Sequence, residues 1–429
     1  MNEVIGTACM LLLGVVVFAL VTRRAAAWER PWLAASFAAH IVSAFAMILL
    51  TIYFFGGGDM LAYHKMGSDY ADYLRTDFAG YAPDMLRYAL RRPTQEHTFF
   101  MGDSATGAMM GVSAWLMFFL GDSLYAACLL IAVGAFVSKY ALYRGFMLSL
   151  PARYKERLLW SAMLLPSVVF WSSGLLKEPI ALLGFGPAFL GMAMVIRGER
   201  WGLGAALLAA GAVPVGVMKP YVLFPFLFCS GIWFYWHRSL TQRGSVGLLK
   251  RPMYLAAAAV LSLGGVQALS VVFPEFGVAQ IAEEAAELQA MGQRVRGGSH
   301  YAITSTPARG LVGQLLLAPV GLAFALFRPL PFDVRNAVVL LNALEMLAIM
   351  WLWWRAGTIR SVKQTARMVF ASPVLVFCVA FCVIFGAAVG LSSTNIGTLS
   401  RYRVPMMPFY VLTLLVLAAP QAPRSGRGV

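Results

Sequence analysis

The chain has 429 residues, of which 60% are hydrophobic and only 12% charged, with a mean hydropathy of +0.73. Soluble chains carry about 25% charged residues, so this composition excludes an ordinary water-soluble globule. The net charge of +15 does not indicate a nucleic-acid partner. The Lys and Arg sit in short loops between apolar runs, where they set membrane orientation.

The apolar residues come in runs of bilayer length, about 20 residues of helix per crossing. Lipid forces every backbone donor and acceptor to be satisfied within the structure, which leaves helix bundles or closed barrels. Alternating ten-residue strands are absent, so the expected fold is all-α, a polytopic transmembrane helix bundle forming one integral membrane domain over 1–429. Met1-Asn2-Glu3-Val4 lacks the basic start of a secretory signal, and 5–22 reads as a retained span.

Further spans are expected near 32–55, 124–141, 159–175, 179–196, 203–218, 220–236, 253–272, 336–354, 369–391 and 404–419, about 11 crossings in all. Two shorter apolar pieces, 107–120 and 311–327, are expected to dip and return or to lie in the interface. Pro319 interrupts the second.

The loops 23–31, 139–158, 197–200, 237–251 and 355–367, and Arg424 and Arg427 of the tail, are rich in Lys and Arg and belong in the cytoplasm. Residues 56–106 hold seven acids against five Lys or Arg and form the first outer loop, with interfacial helices. Residues 273–310 form the second, with an amphipathic helix over 279–291 followed by Arg294, Arg296 and a Gly-Gly-Ser stretch that reads either as a substrate loop or as a tether. This places the N-terminus outside and the C-terminus in the cytoplasm of a multi-pass inner (plasma) membrane protein. All five cysteines fall in apolar runs, without a disulfide framework or zinc spacing. No cofactor is expected and no divalent metal is indicated. No internal repeat of the kind common in transporters is visible.

Under this topology the polar groups near membrane ends gather outside. At the exit of the second span, Gly56-Gly57-Gly58 delivers Asp59, followed by a helix carrying Tyr63, His64, Tyr70 and Tyr73. A carboxylate there can act as a general base toward a hydroxyl, or it can cap the helix. The run Pro166 to Pro179 joins two spans and places Lys177 and Glu178 at the same boundary, as ligand groups or as a snorkelling lysine with a local ion pair. Lys219 has no acidic neighbour in sequence and needs an acid from another helix or an anionic ligand.

Arg328 and Asp333 face each other across a Pro329-Leu330-Pro331 turn and can pair. Before the last span, Ser392 to Arg403 combines hydroxyl residues with Arg401 and Arg403, a pattern suited to phosphate. Glu345 lies inside a span, as a functional acid or a packing group. His40 reads as a packing residue.

Asp59 in the first large outer loop, beside a membrane exit and before an interfacial helix, resembles the polytopic glycosyltransferases of the GT-C class. Bacterial polysaccharide and O-antigen polymerase-like proteins are similar at this level. The runs ending in Lys177-Glu178, at Arg328 to Phe332 and at Gly397 to Arg403 look like segments of membrane proteins from polysaccharide clusters. The resemblance implies an inverting transferase working on the outer face with Asp59 as base. Its partners would be a polyprenyl-phosphate-linked sugar donor, a glycan or lipid acceptor and the surrounding lipids, with Tyr63, His64, Lys177, Glu178, Lys219, Arg328, Arg401 and Arg403 binding substrate. Many members of the class carry a second acid after the base; here Met60 follows. A transporter or flippase of a lipid-linked or anionic substrate is the alternative. It would use the same cations and need no base.

Overall fold

The computed structural model describes residues 3–102, 104–241, 283, 285–290, 300–304 and 308–420. The chain divides into two compact units, 1–149 with 162–226 and 150–161 with 227–429. The described regular structure is helical apart from one isolated antiparallel bridge between His300 and Asn395. Among the described residues, eight helices are long and apolar enough to cross a membrane, as expected of a multi-pass membrane protein. The expected span 253–272, the stretch 294–299 read as a substrate loop or tether, and most of the outer loop 273–310 lie outside the described residues.

The first unit begins with α1 (Glu3–Thr22) and α2 (Arg30–Leu49), the latter continuing through a π turn at Leu50–Phe54. Three glycines then leave helical geometry. Gly56 at φ +66° and Gly58 at φ +126° occupy backbone regions that disfavour a side chain. The chain re-enters helix as α3 (Asp59–Thr76), then α4 (Phe78–Ala89) and α5 (Ala105–Leu120). At 16 residues, α5 rises only about 24 Å, in keeping with the short piece expected over 107–120.

After α5, Gly121 adopts a left-handed conformation that ends the helix, and α6 (Leu124–Ser149) follows. The unit continues with α8 (Pro166–Phe170), α9 (Lys177–Arg197) and α10 (Trp201–Met218). Helix α11 (Pro220–Thr241) begins directly after Lys219.

Glycines set the closest helix contacts. A Cβ on Gly191 of α9 would lie 2.4 Å from the Gly204 oxygen of α10, and one on Gly184 would lie 2.2 Å from the Gly211 oxygen. The two pairs repeat at a spacing of seven, so one small-residue stripe on each helix lets the backbones touch. The core around α3 and α5 is made of Met60, Tyr63, Tyr70, Leu74, Met109 and Met117, continuous with Met47 and Ile48 of α2 and Leu176 and Ile180 around the α9 start.

The span expected over 159–175 is not one helix. α7 (Lys155–Met163) stops, Leu165 is extended at φ −68° and ψ 118°, and α8 lasts five residues before a turn through Trp171 to Leu176. Pro166 accounts for the first break, because a proline pushes the preceding residue out of the helical region.

In the second unit, α12 (Gly310–Phe327) departs from the expected interruption at Pro319: it is an unbroken 18-residue helix with that proline inside, long and apolar enough to cross. Transmembrane helices tolerate proline because neighbours and local adjustments satisfy the freed carbonyl. It is followed by α13 (Ala337–Ile359), the short amphipathic α14 (Val362–Phe370), α15 (Pro373–Ser392), α16 (Ile396–Tyr402) and α17 (Met407–Leu417).

Ser361 and Gln364 form a reciprocal capping box that starts α14. Gly321 of α12 and Gly390 of α15 meet so closely that a Cβ on Gly390 would lie 1.8 Å from the Gly321 oxygen. Phe377, Phe381 and Phe385 stack in a nearly parallel row along α15, and Phe409 of α17 packs edge-on against the first two.

Candidate functional site

In the first unit, chemistry-bearing residues collect at helix starts and breaks. Gly58 is the cap residue of α3, so Asp59 is the first helical residue rather than the cap. The Asp59 side chain is exposed. A carboxylate at this position is favoured by the helix dipole.

The adjacent Met60 is buried and anchors the site to the rest of the unit. Its sulfur lies 3.8 Å from Cys128 Sγ, and a Cβ on Gly174 would lie 3.6 Å from it and 3.0 Å from Met47 Cγ. The turn from Trp171 to Leu176 therefore packs beside the start of α3. Ser172 and Ser173 satisfy their hydroxyls on the Val169 carbonyl.

That turn leads into Lys177 and Glu178 at the start of α9, which have different partners. Lys177 Nζ donates to Thr106 Oγ1 at 3.1 Å, tying α9 to the start of α5. Glu178 pairs with Lys219 at 2.6 Å, with both side chains withdrawn from water at 3% and 6% exposure. Lys219 thus finds its counter-charge on another helix. It also lies over the Tyr221 ring at 5.3 Å. Burying two charges is costly, and at this separation the mutual attraction offsets much of that cost.

The helical aromatics divide by depth. Tyr63 is buried at 3% exposure and belongs to the core. His64 is half-buried, with Nε2 2.9 Å from the Asp122 carbonyl oxygen. Tyr70 is buried and Tyr73 exposed, and Tyr73 stacks on Tyr81.

Two arrangements were not foreseen from the sequence. Arg75 of α3 reaches Asp72 at 2.7 Å and Asp122 at 2.8 Å, and donates to the Met117 carbonyl at 2.9 Å. Asp84, buried in α4, accepts backbone N–H groups from Gln95, Glu96 and His97, each at 2.8 Å, and faces the His97 ring at 3.2 Å. Burial pushes the Asp84 pKa up, but the three backbone donors and His97 outweigh it and hold the carboxyl well below its usual range. Arg75 and Asp72 are three residues apart on one helix, but the contacts of Arg75 with Asp122 and Met117, and of Asp84 with residues 95–97, join residues brought together by the fold.

In the second unit the Arg328–Asp333 pair forms as a fork: Nε donates to Oδ2 at 3.0 Å and Nη2 to Oδ1. The Leu330 N–H adds a third bond to Asp333 at 2.8 Å. Burial raises the Asp333 pKa, and these donors more than reverse it, so its carboxyl lies below the ordinary value. The Arg328 guanidinium also lies 4.4 Å from the Tyr301 ring centre and 4.8 Å from that of Phe324. Tyr301 is held by its N–H on the Thr394 carbonyl at 2.9 Å.

Arg403 is wholly buried, and its Nη1 donates to the Ala325 and Arg328 carbonyls, stitching α12 to the turn before α17. Arg401 is half-buried over Tyr402 at 5.6 Å. The segments around 301, 328–333 and 392–403, separate in sequence, therefore converge. Of the two arginines in the last segment, only Arg401 keeps partial access to solvent. Glu345 is half-buried on α13, which packs against α16. Among the described residues no group of three or more His, Cys, Asp or Glu is placed to hold a metal.

Comparison of the chain with family models, with curated proteins and with solved structures gives no match. The functional reading therefore rests on these residues and their geometry.

Proposed function

We propose that the protein is a membrane glycosyltransferase that moves a sugar from a polyprenyl-phosphate-linked donor to an acceptor glycan or lipid. The reaction takes place on the outer face of the inner membrane, in the assembly of cell-envelope polysaccharide. The observation that carries this reading is Asp59: an exposed carboxylate on the first turn of a helix, reached through three glycines directly after an apolar helix.

In the reaction, Asp59 takes the proton of an acceptor hydroxyl as that oxygen bonds to the anomeric carbon of the donor. The bond from that carbon to the phosphate oxygen breaks on the opposite face, so configuration inverts. The polyprenyl phosphate or diphosphate leaves with the electron pair. Lys177, half-buried at the start of α9 in the same unit, is the cation suited to the developing phosphate charge. Lys219 is committed to Glu178 and serves to hold the α9 start and the α10–α11 junction in register.

A transporter or flippase is the second reading. The observation in its favour is the buried Glu178–Lys219 pair at the break between α10 and α11, since interrupted helices with buried charges also line transport sites.

Asp59→Asn separates the two. Under the transferase reading the variant, at normal folded level, abolishes the surface glycan and lets lipid-linked precursor accumulate. An unchanged glycan with Asp59→Asn would remove Asp59 as base and leave the transport reading.

A further inference from the structure

A second polar site lies wholly within the second unit. Residues 153–157, 360–371 and 419–420, which sequence places in two basic loops and at the end of the last apolar run, converge around a cavity of about 530 Å³. That size falls within the roughly 300–1,000 Å³ of small-molecule sites. Among the described residues four arginines line it, Arg153, Arg157, Arg360 and Arg367, together with Tyr154 and Gln364, and no carboxylate is among these lining residues.

The arginines are graded in depth. Arg153 and Arg367 are exposed at the rim and Arg157 is half-buried, whereas Arg360 is only 7% exposed. Arg360 donates from Nη2 to the Ala419 carbonyl at 2.5 Å, and its buried Nη1 has no acceptor among the described residues.

Arginines in cytoplasmic loops ordinarily need no ligand, because positive-inside bias alone places them there and their heads stay in water. Arg360 departs from that pattern. It is largely taken out of water, keeps one N–H without an acceptor among the described residues, and lines a space with three more arginines and no carboxylate among the described lining residues. Four guanidinium groups around one space, one of them desolvated, suit an anion that accepts several forked hydrogen bonds.

We propose that this cavity binds a phosphate-bearing ligand, either the headgroup of an anionic lipid or a soluble phosphorylated molecule. Arg360 forms the floor of the site, and Arg153, Arg157 and Arg367 close around the phosphate oxygens. The apolar side chains of Met368 and Ala371 complete the wall. The site is independent of Asp59 and of the proposed transfer reaction. Basic pockets between membrane helices on the cytoplasmic side are a recurring solution for phosphate headgroups.

The test uses the purified full chain in nanodiscs and follows its thermal unfolding midpoint. Two titrations are made: inorganic pyrophosphate with phosphatidylcholine discs, and increasing phosphatidylglycerol in the discs without pyrophosphate. Ligand that binds only the folded state raises the midpoint in a saturable way.

The rim variant Arg153→Gln/Arg367→Gln keeps the fold, since both side chains are exposed, and should need at least tenfold more ligand for the same shift. Arg360→Gln should abolish the shift, with its own unliganded midpoint as reference because it also loses the bond to Ala419. Saturation by pyrophosphate alone identifies a soluble ligand. A shift seen only with phosphatidylglycerol identifies a lipid headgroup. No saturable shift with either, or equal titrations for wild type and the rim variant, overturns the proposal.

Discussion

Glu178 and Lys219 show how a single residue's role turns on its partner. Removing one member strands a buried charge, so Glu178→Gln or Lys219→Met should each destabilise the protein by about 3–5 kcal/mol. The double variant Glu178→Met/Lys219→Met should be closer to wild type than either single variant, which thermal unfolding in detergent checks. Glycan assembly should return with stability in the double variant, because the proposed reaction does not use Lys219 as a ligand. Asp84 makes a different prediction. Asp84→Asn puts an amide where three backbone donors need acceptors and should cost about 1–3 kcal/mol. Its folded pKa is depressed, so its stabilisation is fully present above the unfolded carboxylate value of about 3.9. It is lost as pH falls through the lower folded value. The Asp84→Asn protein should therefore lose less stability than wild type when the pH is lowered below about 4.

At the scale of elements, hydropathy reveals most helices, because length and apolarity are what the bilayer selects. It misleads where proline is involved, in two opposite ways. Before Pro166 the helix breaks, since Leu165 is held extended and the following Ser-Ser-Gly turn gives no reason to resume. At Pro319 the helix continues, because α12 packs closely along α15 through Gly321 and Gly390. Composition around the two prolines does not distinguish these outcomes; the packing does. The glycine contacts carry their own prediction. Gly191→Leu would place a side chain where the Gly204 oxygen lies and should force α9 and α10 apart, costing at least about 1–3 kcal/mol. A matching substitution at Gly202, which has open space around it, should be nearly neutral in the same unfolding assay.

At the scale of the whole molecule, the membrane class follows from composition, and the convergence of polar groups follows only partly. The exposed Asp59 was readable because glycines and an apolar run flank it in sequence. The Arg328–Asp333 fork was readable because only a proline turn separates the two residues. The Asp84 cradle joins residues 11 to 13 apart across a loop, and the Glu178–Lys219 pair and the arginine-lined cavity join segments tens to hundreds of residues apart, which periodicity and local spacing do not encode. Burial also sorted the expected substrate-binding set. Tyr63 and Arg403 are packed inside, while Asp59 is exposed and Lys177 and Arg401 keep partial access to solvent.

The central claim is that Asp59 is a base acting on the outer face, and the most direct measurement is the sidedness of the precursor that builds up in cells carrying Asp59→Asn. Folded protein level is followed alongside. The account predicts normal folded protein, no mature surface glycan, and lipid-linked precursor accumulating in the outer leaflet, delivered but not transferred. Precursor retained in the inner leaflet, or an unaltered surface glycan, would contradict it.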